Sequence, residues 1–177
     1  MKKLVLCIIV SASLIACTDQ ETATTNSDDA NIATFKENSK LVEASMNAFT
    51  KNDLKAWDTY FADSLKFHAA AYGQDAPDST LNLSAARLRL EGFHTIVKNI
   101  NAKFEYLLPG VDPVSYKPNG LEVRMYGTMS SESISNGTKM SHKIYQIYTF
   151  NKDHKIVDID EYFDITGAVL VATAPKK

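Results

Sequence analysis

"YTFNKDHKIVDIDEYFD", residues 148–164, reads as two strands joined by a tight turn, and it places Asp158, Asp160, Glu161 and Asp164 in the second strand. Acidic residues are depleted in strands, so their phase decides what the strand does. Asp158, Asp160, Tyr162 and Asp164 share one parity, and Val157, Ile159, Glu161, Phe163 and Ile165 share the other. A regular strand with its apolar set on the core sends the three aspartates to solvent and leaves Glu161 as a buried acid in need of a partner. A β-bulge near Glu161 would reverse the phase and turn Asp164 inward, leaving Val157, Ile159 and Phe163 as an outward apolar patch suited to a homodimer.

Upstream of this stretch, "KMSHKIYQIYTF" (139–150) alternates with Met140, His142, Ile144, Gln146, Tyr148 and Phe150 on one face, and Asn136-Gly137 supplies a hairpin turn before it. "LEVRMYGTMSS" (121–131) and "KFEYLL" (103–108) complete an antiparallel meander, the latter closed by a Pro109-Gly110 turn. Towards the N-terminus the period is helical. Thr34 can cap a helix to about Thr50 carrying Phe35, Val42, Met46 and Phe49. Asp53 can cap a short helix with Leu54, Trp57, Tyr60 and Phe61, followed by the strand "SLKFHAAAY" (64–72). A third helix is expected from Ser84 to near Asn101, with Leu83 and Leu88 as a hydrophobic staple. Helices followed by strands define an α+β domain, with three N-terminal helices packed on a curved, mostly antiparallel mixed sheet.

The chain begins with Lys2 and Lys3 and an apolar run over residues 4–16, short of the about 20 residues a membrane span needs and suited to a secretory signal. Leu14-Ile15-Ala16-Cys17 resembles the lipobox of bacterial lipoproteins. That resemblance implies cleavage before Cys17, lipid on its thiol and anchoring in the bacterial cell envelope; an ordinary secretory signal containing a Cys is the alternative. The other cysteine, Cys7, lies in the leader, so the mature chain would have no disulfide and no thiol nucleophile. Residues 17–31 are polar and read as a disordered tether, residues 32–172 as one domain and 173–177 as a tail. With 19 basic and 21 acidic residues and no basic cluster, nucleic acid is not an expected partner.

The element order is similar to that of the NTF2-like superfamily, the cone fold of SnoaL-like proteins, ketosteroid isomerases and limonene-epoxide hydrolases. "AFTKNDLKAWDTYFADSLKFH" (48–68) resembles the family's opening helix pair and first strand, and residues 148–164 resemble its closing hairpin. The resemblance implies an inward Asp164, since Tyr162-Phe163-Asp164 is similar to the terminal motif that supplies one catalytic acid in limonene-epoxide hydrolases. The neighbouring Arg-x-Asp of that family is here Arg124-Met125-Tyr126, so the second carboxylate is missing. SnoaL-like cyclases use an Asp–His pair, which Asp164 and His142 would supply, with Tyr148 as an alternative assistant.

Trp57, Tyr60, His68, Tyr72, Arg124, Gln146, Tyr148 and Tyr162 are the expected pocket-lining residues beside the candidate catalytic pair Asp164 and His142. Trp57 and Tyr60 also fit a plain core, and His68 and His142 fit a hydrogen-bonded sheet rim. No metal is expected from Asp158, Asp160 and Asp164, which lack EF-hand spacing, and no cofactor motif is present. The sequence therefore points first to a lipid-anchored module that binds a small apolar molecule or a partner, without catalysis. A SnoaL-like isomerase, cyclase or hydrolase is the alternative, and a homodimer is compatible with both.

Overall fold

The computed structural model describes residues 20–69 and 80–175. Its elements are α1 (Gln20–Thr50), α2 (Leu54–Asp58), β1 (Phe61–His68), β2 (Thr80–Leu81), α3 (Leu83–Ile96), β3 (Val97–Val111), β4 (Pro118–Ser133), β5 (Lys139–Phe150), β6 (Ile156–Tyr162) and α4 (Ile165–Thr173). The six strands form one sheet in the order β2-β1-β6-β5-β4-β3. Only β1 and β6 pair in parallel. This is the expected α+β arrangement with a mostly antiparallel mixed sheet.

Helix α1 lays Val42, Met46 and Phe49 on the sheet, with Phe35 partly buried beside them. Asn38, fully buried, fixes its position: Nδ2 donates to the Gly120 carbonyl at 2.9 Å, and Oδ1 lies 2.7 Å from His154 Nδ1 on the β5–β6 turn. Gly120 is required there, because a Cβ would meet the Asn31 carbonyl at 2.5 Å. The described helix spans Gln20–Thr50 and so takes in residues 20–31. Thr34 is an interior residue whose hydroxyl donates to the Ala30 carbonyl. Extending a packed helix costs far less than nucleating one, and Asp28 is held to Lys117 at 3.4 Å. Hydrophobic spacing could not reveal this extension, because the segment carries no large apolar residue before Ile32.

The remaining differences are local. Asn82, rather than Ser84, caps α3 by accepting from the Ala85 N–H. That helix ends at Ile96 and the chain passes directly into β3, whose pairing with β4 carries through Pro109 and Gly110. The turn falls at 112–117 instead, where Asp112 Oδ1 accepts from the N–H groups of Val114 and Ser115. Asn136-Gly137 lies in the β4–β5 turn as expected, with Gly137 at φ 76°. The fourth helix follows the last strand, so the helices are not three N-terminal ones alone. Its C-terminal end is latched to the β4–β5 turn by Ser133 and Ser135, which both donate to the Ala172 carbonyl, and by Asn136, which donates to those of Val171 and Ala174.

Strand alternation separates two faces. Val123, Met125 and Met129 of β4, Ile144, Gln146 and Tyr148 of β5, and Ile159 and Glu161 of β6 point to the helices and are buried. The opposite face carries a cross-strand row of tyrosines, Tyr106, Tyr126, Tyr145 and Tyr162, each opposite the next in register. Tyr126, Tyr145 and Tyr162 stack in series at 4.4 and 5.3 Å between centroids.

Candidate functional site

Between the helices and the inner face of the sheet lies a cavity of about 240 Å³. Its wall is mainly apolar: Met46, Phe49, Trp57, Phe61, Phe67, Leu90, Met129, Ile144 and Ile159 among others, with Ile165 and Val169 of α4 at one side. Each element contributes through its own periodicity. Helix α1 presents Ser45, Met46 and Phe49 from one stripe, and β5 presents Ile144, Gln146 and Tyr148 by alternation. Trp57 is set by α2, which Asp53 caps by accepting from the Ala56 N–H, and its ring lies 4.0 Å from that of Phe61.

One polar chain crosses this apolar wall. Arg89 Nη2 donates to Glu161 Oε1 at 2.5 Å, Gln146 Nε2 donates to Glu161 Oε2 at 3.1 Å, and the Tyr148 hydroxyl donates to Gln146 Oε1 at 2.6 Å. The Arg89 guanidinium also sits over the Phe67 ring, 5.3 Å from its centroid. The Glu161 side chain is 6% exposed and that of Arg89 22%, so the pair is largely withdrawn from water. Burial, followed by the neighbouring Glu161 charge, pushes the Tyr148 hydroxyl far above the ordinary tyrosine range. Tyr148 is therefore a neutral donor at all ordinary pH values.

The β6 strand is regular through this region: its pairing with β5 runs without a shift from Asp158 to Tyr162. The phase that leaves Glu161 buried is thus the observed one. Asp164 does not enter the cavity; it is exposed and caps α4, with Oδ1 accepting from the Gly167 N–H at 2.8 Å. An inward phase also fails for the proposed dimer patch, because Ile159 is buried at 2% exposure and Phe163 lines the cavity. The exposed aromatic surface of the outer face is the tyrosine row instead.

Of the other expected lining residues, Trp57, Gln146 and Tyr148 line the cavity. Tyr60 packs against the core but does not reach the cavity wall, and Tyr72 lies outside the described residues. Arg124 sits on the outer face with Nε donating to Glu122 at 2.6 Å, and Tyr162 is on that face too. His68 lies there as well, 3.5 Å from Asp158. His142 is inward but beyond the cavity, stacked on Phe163 with ring centroids 5.2 Å apart. Its Nε2 is buried without a hydrogen-bond partner. Burial lowers the His142 pKa, and Asp164 acts in the opposite, weaker direction. The residues that sequence reading passed over are Arg89 and the aromatic wall of Phe49, Phe67 and Phe93. Only the parity of Glu161, with its need for a cation or donor, pointed to the polar chain.

Comparison with solved structures identifies the fold. An NTF2-like protein of unknown function from Burkholderia pseudomallei superposes with a TM-score of 0.61 at 16% identity, covering 77% of this chain and 98% of that one. A putative polyketide cyclase from Xanthomonas campestris gives 0.59 at 12% identity, covering 79% and 99%. A Mycobacterium tuberculosis protein in complex with estradiol-17beta-hemisuccinate gives 0.55 at 16% identity, covering 71% and 92%. The chain is similar to these in fold and has the NTF2-like architecture. No protein-family model and no curated protein matches the sequence.

Proposed function

We propose that this protein is a binding module for a small, mainly apolar molecule with one hydrogen-bonding end, held in the cavity between the sheet and the helices. The observation that carries the reading is the wall itself: an apolar enclosure crossed by one polar chain, Arg89–Glu161–Gln146–Tyr148. A few placed polar groups in an apolar cavity fix the orientation of a ligand without chemistry. The volume of about 240 Å³ lies just under the range of about 300–1,000 Å³ usual for drug-sized ligands. It suits a compact ring or short chain. Structural neighbours that hold an estradiol derivative or polyporic acid support the use of such a cavity for small organic ligands.

An enzymatic reading has support from the neighbours described as putative polyketide cyclases. In this chain the role expected of Asp164 as general base would pass to Glu161, the carboxylate on the cavity wall. Both Glu161 oxygens already accept hydrogen bonds from protein donors, and Asp164 is engaged as a helix cap. Arg89 and Gln146 fix the Glu161 carboxylate within the protein's own network. Apart from Tyr148, which is engaged with Gln146, no further titratable group stands beside it on the described cavity wall to complete an acid–base pair. Binding without turnover is therefore the better reading.

The module would be carried on the bacterial cell envelope by lipid on Cys17. Support comes from Lys2, Lys3, the apolar run and Leu14-Ile15-Ala16-Cys17. Cys17 lies outside the described residues.

Two experiments test the reading. Solvent extraction and mass spectrometry of the full chain from its native cells should yield one small apolar compound, unchanged on incubation. Conversion of that compound to a product would overturn the non-catalytic assignment. Labelled palmitate should enter the wild type and not Cys17→Ser; equal labelling of both would remove the anchor.

A further inference from the structure

The parallel pairing of β1 with β6 places His68 opposite Asp160 and Lys66 opposite Asp158. These side chains leave the outer face of the sheet, since their neighbours Phe67 and Ile159 are buried at 3% and 2% exposure on the inner one. His68 Nε2 lies 3.5 Å from Asp158 Oδ2. Together with an Asp160 oxygen they form a set whose ligand atoms all fall within 4.8 Å of one another, each residue being half-buried. We propose that His68, Asp158 and Asp160 bind a divalent transition-metal ion, zinc above all, on the face of the sheet opposite the cavity.

The donor chemistry fits: one imidazole and two carboxylates suit zinc, with water in the remaining position. So does the spacing. Zinc–ligand bonds of about 2.1 Å place the ligands of a tetrahedral site about 3.4 Å apart, close to the 3.5 Å already present between His68 and Asp158. Asp160 closes the site by side-chain rotation alone, because the strands that carry the three residues are fixed by their ladder. His68 is also oriented from behind. Its Nδ1 lies 3.1 Å from Thr80 Oγ1 on β2. With Nδ1–H donated to that hydroxyl, the Nε2 lone pair faces the carboxylates, the arrangement that outer partners impose on metal-bound histidines.

Charge points the same way. Asp158 and Asp160, two residues apart on β6, set two carboxylates on one face beside His68. Among the described residues, Arg124 on the same face is engaged by Glu122. No cavity residue belongs to the set, so this site stands or falls independently of the binding reading above.

The test is calorimetric titration of the untagged, chelator-stripped full chain with zinc chloride, beside His68→Gln, Asp160→Asn and the control Asp153→Asn, whose site lies on the β5–β6 turn. The wild type and the control should bind one equivalent, and the two site variants should bind at least tenfold more weakly. Zinc should shift the His68 imidazole nitrogen resonances ahead of those of His94, His142 and His154. Because a variant could lose stability for other reasons, the zinc-dependent rise in Tm is compared within each protein. A rise in the wild type that is absent in His68→Gln supports the site. Equal affinity or an equal rise in all four proteins, or no binding by the wild type, overturns it.

Discussion

Glu161 and Arg89, 72 residues apart in the chain, meet at 2.5 Å on the wall of an apolar cavity. Neither partner would rest there alone. Removing one side of a largely buried ion pair leaves an uncompensated charge, which costs about 3–5 kcal/mol. Arg89→Ala is expected near the lower end, because Arg89 is the more exposed partner. Replacing both, as Arg89→Met with Glu161→Leu, should recover most of the loss, since an apolar pair of similar volume is often neutral. Urea denaturation of the two single variants and the double variant measures this coupling directly.

The Tyr148 hydroxyl has one clear task, donation to Gln146 Oε1 at 2.6 Å in a fully buried position. Tyr148→Phe should cost about 1 kcal/mol of stability, with a further fraction for the acceptor left unpaired. It should also weaken ligands with a polar end more than apolar ones of the same size. Paired denaturation and binding measurements separate the two effects.

Gly92 lines the cavity on α3, and a Cβ built there meets nothing within 4 Å. Glycine inside a helix costs roughly 0.5–1 kcal/mol relative to alanine. Gly92→Ala should therefore raise stability by about that amount, read as a higher urea midpoint with an unchanged m-value.

Two half-buried imidazoles make stability depend on pH. Burial lowers the pKa of His94, against a hydrogen bond from its ring to the Phe49 carbonyl, and burial likewise lowers that of His142. A histidine whose folded pKa is depressed binds fewer protons folded than unfolded. Its contribution is present above the unfolded value of about 6.5 and is lost as pH falls from there towards the folded value. Urea midpoints should therefore drop between pH 7.5 and 5.5, and His142→Phe should flatten part of that slope. On the alkaline side, Tyr145 is pushed up to about 12, by burial first and by its hydrogen bond to Tyr126. Its contribution is present below about pH 10 and is lost as pH rises through the folded value.

The sequence carried the fold where the signals were local. The α1 stripe of Val42, Met46 and Phe49, the Asp53 cap and the Asn136-Gly137 turn each follow from spacing within a few residues. Helix α4 escaped notice because its core, "AVLVA" (168–172), is apolar and β-branched enough to read as strand. The cue lay in Asp164, a helix cap that accepts from the Gly167 N–H, where the family resemblance implies a pocket acid. Arg89 and His68 were illegible for another reason. Nothing near Arg89 in sequence shows that α3 will lay it beside β6, and nothing near His68 shows that β1 will pair with β6 in parallel. Long-range register decides both, and strand parity constrained only the Glu161 end.

Trp57 is the sole tryptophan of the chain and lines the cavity, so its fluorescence reports occupancy without a label. The most direct test of the binding account is a titration of the full chain with a compact cyclic alcohol such as menthol, beside Ile144→Phe, whose larger side chain takes up cavity space at a buried lining position. The account predicts a saturable, one-to-one change in Trp57 emission that the variant loses while keeping its fold by circular dichroism. A change that never saturates, or one equal in the variant, would contradict it.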